Sequence, residues 1–199
     1  MSVNYKVFIL GVILSITSFV ATYASEPSRE IYTINDGWQF LPLSATDGAT
    51  AEYISIPHTW QSGVGEYGAE VSSYNYIKAL DVPQSWYNKR LFLRFGGVQS
   101  VADVFINGSY VGTHKGGFTA FTFEITSYVK CGAKNYLRVV VSNGYRNDMF
   151  PLSTDMDLTG GIFRDVEIMA TPKNIISPLH HSTDGVYVVQ HSVTNQRVI

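Results

Sequence analysis

The chain reads as all-β, a sandwich or barrel of short antiparallel strands. Short apolar or alternating runs recur along it with turn residues between them, and no long amphipathic helix interrupts the pattern. Its charged fraction is 15% and its aromatic fraction 14%, whereas an ordinary soluble chain carries about 25% charged residues. Such a composition favours packed sheets over solvated helices or disorder.

The first segment stands apart from the strands. Lys6 precedes an apolar run from Val7 to about Ala21, followed by Thr22-Tyr23-Ala24-Ser25. This is the pattern of a secretory signal peptide over residues 1–24, cleaved near Ala24. The alternative, a membrane anchor, is disfavoured because the run is shorter than the roughly 20 residues that span a bilayer and is broken by Ser15, Thr17 and Ser18. No cysteine follows closely enough for a lipoprotein anchor. The mature product is expected to be exported, periplasmic or extracellular, with no stable membrane span.

Strands are then expected at 31–34, 39–41, 52–56 and 74–82, separated by long polar connections at 45–51 and 61–73, the kind of connection that shapes binding edges on sandwiches. In Leu91-Phe92-Leu93-Arg94-Phe95 the alternation puts Leu91, Leu93 and Phe95 on a core face and Arg94 on the other. The next run places Ala102, Val104 and Ile106 opposite Val101, Asp103 and Phe105, then meets Asn107-Gly108, a strong two-residue hairpin signal. Tyr110-Val111-Gly112 returns, 118–125 and 136–141 follow, and 166–169 closes the set. Thr171-Pro172-Lys173 and Ser177-Pro178 break the pattern, so the domain is expected to span 25–173. Residues 186–190 read as the first strand of a further unit within 174–199. A lone strand cannot bury its apolar face, so the sequence looks truncated.

Several function classes are disfavoured. The net charge is −2 with no basic run, so nucleic acid is a poor partner. Cys131 is the only cysteine, which excludes an intrachain disulfide. Its setting, Lys130-Cys131-Gly132-Ala133-Lys134, favours a solvated loop thiol over a nucleophile. No phosphate-binding loop, dinucleotide fingerprint, paired-cysteine site or Gly-x-Ser-x-Gly elbow is present, and no cofactor is expected. Of His58, His114, His180, His181 and His191, only His180 and His181 are close, and adjacent strand residues point to opposite faces, so a structural or solvated pair is favoured over a metal site.

Two features could bind sugars. Asp155 and Asp157 lie in the glycine-closed loop Ser153-Thr154-Asp155-Met156-Asp157-Leu158-Thr159-Gly160-Gly161. They could cradle calcium or hold sugar hydroxyls, although composition alone favours a solvated turn. Exposed aromatic rings stack on the apolar face of a pyranose, which makes Trp38, Trp60 and Trp86 candidates, with core packing the favoured alternative.

Taken together, Asp36-Gly37-Trp38 with Phe40, Pro57-His58-Thr59-Trp60, Leu91 through Val98, Ala102-Asp103-Val104-Phe105-Ile106-Asn107-Gly108, Val111 through Phe118 with Phe121, and Gly160-Gly161-Ile162-Phe163-Arg164-Asp165-Val166 resemble the N-terminal sugar-binding domain of family 2 glycoside hydrolases, which include β-galactosidases and β-glucuronidases. The resemblance covers about Asp36 to Lys173, with Tyr76-Ile77-Lys78 where the family usually has a Tyr-Arg-Lys-like strand. It implies a jelly-roll, galactose-binding-like β-sandwich, followed by the opening strand of an immunoglobulin-like sandwich, which Asp184-Gly185-Val186-Tyr187 matches. In the family a (β/α)₈ barrel then carries two catalytic glutamates in a retaining mechanism, so no catalytic residue is expected in this chain. The family's aspartate six positions before the second closing glycine reaches the barrel's active site, which makes Asp155 a substrate-binding candidate. Asp157 is a second, without a family counterpart. Arg164 can form a planar bidentate contact with a carboxylate at the domain edge. The implied partners are a carbohydrate, a β-galactoside or related glycoside, and the missing C-terminal domains of the same enzyme. Two other readings remain: a free-standing carbohydrate-binding module, marked by a row of exposed aromatics on one sheet face, and an inert gene fragment with exposed strand edges.

Overall fold

The computed structural model describes residues 29–46, 49–60, 72–144, 146–149 and 159–192. They form thirteen strands: β1 Glu30–Thr33, β2 Trp38–Pro42, β3 Glu52–Ile54, β4 His58–Thr59, β5 Ser73–Val82, β6 Arg90–Phe95, β7 Val98–Gln99, β8 Val101–Ile106, β9 Ser109–Lys115, β10 Phe121–Glu124, β11 Ala133–Ser142, β12 Gly161–Ile162 and β13 Val166–Thr171. A six-stranded sheet, β3-β2-β5-β11-β8-β9, faces a four-stranded sheet, β1-β13-β6-β10, and a small third sheet, β4-β12-β7, lies at one end. Every pairing is antiparallel. The expected all-β sandwich is the fold observed.

The core lies between the two large sheets because the period-two alternation points one set of residues from each strand inward. Ala102, Val104 and Ile106 of β8, Leu137, Val139 and Val141 of β11, and Tyr76, Leu80 and Val82 of β5 meet Leu91, Leu93 and Phe95 of β6 and Val166, Ile168 and Ala170 of β13. Each aliphatic side chain so buried is worth about 1.5–3 kcal/mol of transfer free energy. Trp38 and Trp86 are buried in this core too, the packing that sequence favoured for them. The Trp38 indole N–H donates to the Ile34 carbonyl at 2.7 Å, which satisfies its one polar atom.

Asn107 and Gly108 both have positive φ, 52° and 81°, so the β8–β9 connection is the two-residue turn whose twist matches its strands. The exposed Asn107 also pairs with a buried residue. Its Nδ2 donates to Asn135 Oδ1 at 2.8 Å, and its Oδ1 accepts the Tyr136 N–H at 3.0 Å. The fully buried Asn135 completes its valences on the neighbouring turn, accepting the Lys130 N–H and donating to the carbonyls of Lys130 and Ala133. Cys131, within that turn, is half-buried and packs against the core instead of standing in solvent, because the Asn135 bonds draw the turn down onto the sandwich.

Several expected boundaries shift. The strand anticipated at 118–125 is only Phe121–Glu124, since Gly117 to Thr119 form a bend, and the strand anticipated at 52–56 stops at Ile54. Residues 186–190 form no strand, and Val188 is 94% exposed. A strand needs a neighbour to receive its hydrogen bonds, and no described strand pairs with this segment. The preceding stretch instead folds against the outer face of the four-stranded sheet. There Pro178 is buried, Ser182 Oγ lies 2.6 Å from Thr122 Oγ1, and Arg29 Nη1 donates to Asp184 Oδ1 at 3.0 Å.

Asn135→Ala strands several buried partners at once and is expected to lower stability by about 2–3 kcal/mol. Urea denaturation measures it, and a change below about 0.5 kcal/mol, the level of an ordinary surface substitution, would contradict the buried network.

Candidate functional site

Asp155 and Asp157 lie outside the described residues, as does most of the connection at 61–73. Their setting is defined by where those two connections begin and end. The Trp60 N–H donates to the Gly160 carbonyl at 3.1 Å, joining the start of one connection to the end of the other. At the remaining two ends Ser72 and Asn143 pair reciprocally. The Asn143 N–H donates to the Ser72 carbonyl at 3.3 Å, and Asn143 Oδ1 accepts the Ser72 N–H at 2.8 Å. The described ends of both connections therefore meet in pairs, one of them at the small sheet.

The small sheet is built for close approach. Gly161 pairs with Thr59 on one side and Gln99 on the other, Ile162 with His58 and Val98. At Gly161, φ is +143°, and an added Cβ would fall 2.2 Å from the His58 carbonyl oxygen. At Gly160 an added Cβ would fall 1.7 Å from the Trp60 ring. The double glycine thus lets Trp60 lie against the chain end that carries Asp155.

Beside the described ends of the two connections lies an aromatic cluster. Phe40 stacks on Tyr74 with ring centroids 4.5 Å apart and meets the His58 ring at 4.6 Å, while Trp60 and Tyr74 are 4.8 Å apart. Trp60 is half-buried, and its buried Nε1 has no hydrogen-bond partner among the described residues. Of the three tryptophans, this one alone sits at the candidate site. Tyr76 fastens the cluster to the small sheet, with its hydroxyl 2.8 Å from His58 Nδ1 and in contact with the Ile162 backbone N–H. Burial raises the Tyr76 pKa well above that of a free phenol, so the hydroxyl keeps its proton. It accepts from Ile162 and donates to a neutral His58, whose pKa is lowered chiefly by burial.

Charge gathers on the segment leading into the acid loop. Asp148 accepts from Arg146 at 2.8 and 3.1 Å and from Lys115 at 2.6 Å, which ties that segment to β9 and holds the Asp148 carboxyl far below its ordinary range.

The other sequence candidates lie elsewhere. Arg164 is exposed, rests 5.4 Å from the Phe163 ring centroid, and donates to the carbonyls of Phe118 at 3.3 Å and Gly96 at 3.5 Å, so among the described residues its hydrogen bonds go to backbone oxygens. His180 and His181 occupy a turn and not a strand, with rings 4.4 Å apart. His180 Nδ1 is 2.5 Å from the Tyr187 hydroxyl. Among the described residues no group of three His, Cys, Asp or Glu side chains could hold a metal ion, and no helix is long and apolar enough to cross a membrane.

The family model for the glycosyl hydrolases family 2 sugar binding domain matches residues 63–172, from within the first connection to one residue past β13. The chain belongs to glycosyl hydrolase family 2. Among curated relatives it is 43% identical over 171 residues to a β-glucuronidase of Bacteroides fragilis, covering 84% of this chain and 24% of that protein. It is 32% identical over 152 residues to a β-galactosidase of Thermoanaerobacter pseudethanolicus, covering 69% and 20%. Among solved structures, a Bacteroides uniformis β-glucuronidase superposes with a TM-score of 0.78 at 34% identity, over 85% of this chain and 21% of that one. The family 2 chain thus spans about a quarter or less of the length of these relatives, in the region of their sugar-binding domain.

Two measurements check the site's architecture. Tyr76→Phe leaves the Ile162 N–H and His58 Nδ1 unpaired and is expected to cost about 1–3 kcal/mol in a urea titration, with the near-ultraviolet signal of Trp60 altered. A second concerns pH. Burial lowers the pKa of His58, and also of His114, which stacks on Phe121 at 4.0 Å. The unfolded chain therefore binds protons that the folded chain refuses, and their stabilisation is complete above about pH 6.5 and lost as pH falls through the folded-state values. Replacing both histidines by glutamine is expected to flatten the stability profile below about pH 6.5. An unchanged slope would mean that neither is held neutral.

Proposed function

We propose that this domain, exported and freed of residues 1–24, serves as the N-terminal carbohydrate-binding part of an enzyme that hydrolyses β-glycosidic bonds. In this reading residues 25–173 form the sugar-binding unit, 174–199 lead into an immunoglobulin-like domain, and a barrel elsewhere in the enzyme supplies the catalytic glutamates. The acid loop presents Asp155 to sugar hydroxyls held in that barrel, with Asp157 beside it. The observation that supports this role is the convergence of the roots: Trp60 with Gly160 and Ser72 with Asn143 hold the described ends of the two long connections together in pairs. A carboxylate carried on a loop held at both ends can reach a neighbouring domain while its scaffold stays fixed.

Two sugars compete as the substrate's glycone. A β-galactoside is the substrate that the sequence reading favoured, whereas the relative at 43% identity is named a β-glucuronidase, which favours a β-glucuronide. The two differ at C6, a hydroxymethyl against a carboxylate, and at C4, an axial hydroxyl against an equatorial one, so a site that discriminates must place a cation or hydrogen-bond donor at C6 or a partner for one orientation of the C4 hydroxyl.

Calorimetric titration of the purified chain with galactose and with glucuronic acid, alongside Asp155→Ala, tests the reading. Binding that the substitution weakens by roughly tenfold or more, the loss of a charge-assisted hydrogen bond, supports a sugar site on the acid loop. Binding that Asp155→Ala leaves unchanged would remove Asp155 from the role. The chain by itself is expected to turn over neither a nitrophenyl β-galactoside nor the β-glucuronide, and turnover surviving Asp155→Ala and Asp157→Ala would overturn the assignment.

A further inference from the structure

The outer face of the six-stranded sheet carries a row of side chains that the core does not use. Register fixes it. Tyr53 of β3 lies opposite Gln39 of β2, Gln39 opposite Ile77 of β5, Ile77 opposite Arg138 of β11, Arg138 opposite Phe105 of β8, and Phe105 opposite Tyr110 of β9. Partners directly across an antiparallel pair share a face. The contacts agree: Gln39 Nε2 donates to the Tyr53 hydroxyl at 3.0 Å, the Arg138 guanidinium lies 4.2 Å from the Phe105 centroid, and the Phe105 and Tyr110 rings meet edge-to-face at 5.5 Å. Tyr53 is 73% exposed, Tyr110 54%, and Tyr136, two residues before Arg138 on the same face, 55%. The row crosses the whole sheet, edge to edge. Five inter-strand steps of about 4.8 Å make it roughly 24 Å long.

We propose that this row is a second carbohydrate-docking surface, separate from the acid loop, and that its occupant is an extended polysaccharide bearing uronate groups. The chemistry of the row selects that occupant. Exposed tyrosine rings at its two ends offer flat apolar faces to successive pyranose rings, and Gln39 and Arg138 between them donate hydrogen bonds. Arg138 specifies an acidic chain. Its plane is held by stacking on Phe105, its one hydrogen bond among the described residues is a 3.5 Å contact with Asn75 Oδ1, and it forms no ion pair there. Asp103, an acid of β8 two residues before Phe105, accepts a hydrogen bond from Thr113. A planar guanidinium in mid-row, without an ion pair among the described residues, matches a carboxylate bidentately. With one cation in the row and a chain net charge of −2, the face does not suit a polyphosphate. Its polar interruptions also set it apart from the apolar centre of a stable protein interface.

Affinity electrophoresis of the purified chain through gels containing polygalacturonate, or a neutral galactan of similar length, tests the surface. Polygalacturonate is expected to retard the chain more than galactan. The double substitution Tyr53→Ala, Tyr110→Ala is expected to weaken retardation by about tenfold, and Arg138→Gln to abolish the preference for the acidic polymer. Asp155→Ala is expected to change neither, which separates this surface from the acid loop. Tyr53 and Tyr110 are exposed and Arg138 is half-buried, and circular dichroism confirms that the variants fold. Absence of retardation, retardation indifferent to the tyrosines, or equal retention of both polymers by the unsubstituted chain would overturn the proposal. So would a dimer in sedimentation that the tyrosine substitutions dissolve, since the face would then belong to a second copy.

Discussion

The Tyr76 hydroxyl joins two sheets that strand pairing leaves apart. It projects from β5 in the six-stranded sheet, accepts from the backbone of β12, and donates to His58 of β4. A buried phenol with both partners in place loses little on leaving water, whereas the same phenol with either partner absent would carry an unmet polar group into the core. The small sheet is therefore fixed to the large one at the point where Trp60 and Gly160 start and end the two long connections. The site's described geometry descends from that bond: the glycines admit Trp60, Trp60 packs on Tyr74, and the Asn143–Ser72 pair joins the other two ends.

The six-stranded sheet presents two chemistries through one alternation. Its inward residues, among them Tyr76, Leu137, Val139 and Val104, make the core, and its outward residues, at the alternate positions of the same strands, make the aromatic and cationic row. A one-residue slip of any central strand would exchange the two sets, so burial of the inward face fixes the outward row as firmly as it fixes the core. The outer face of the four-stranded sheet differs. It carries the Arg90–Glu124 and Arg94–Glu167 ion pairs and receives the segment around Pro178 and Ser182. Only one of the two outer faces thus keeps a line of open rings.

Much of this was legible in the sequence. The alternation of Leu91, Leu93 and Phe95, and of Ala102, Val104 and Ile106, determined strands and inward faces, because a pleated strand can bury only every second residue. Asn107-Gly108 determined a hairpin, because both positions must take positive φ. The ordered motifs from Asp36-Gly37-Trp38 to Gly160-Gly161 determined the family. Sequence left Trp38, Trp60 and Trp86 equivalent, and it treated 186–190 as a strand because it cannot see whether a partner lies alongside. Tertiary structure decided which tryptophan stands at the loop roots, and it turned Arg164 onto backbone carbonyls. It also aligned Tyr53, Arg138, Phe105 and Tyr110, which come from four separate strands. Their line exists only through the register between strands, and register is set by long-range hydrogen bonding that no local pattern encodes.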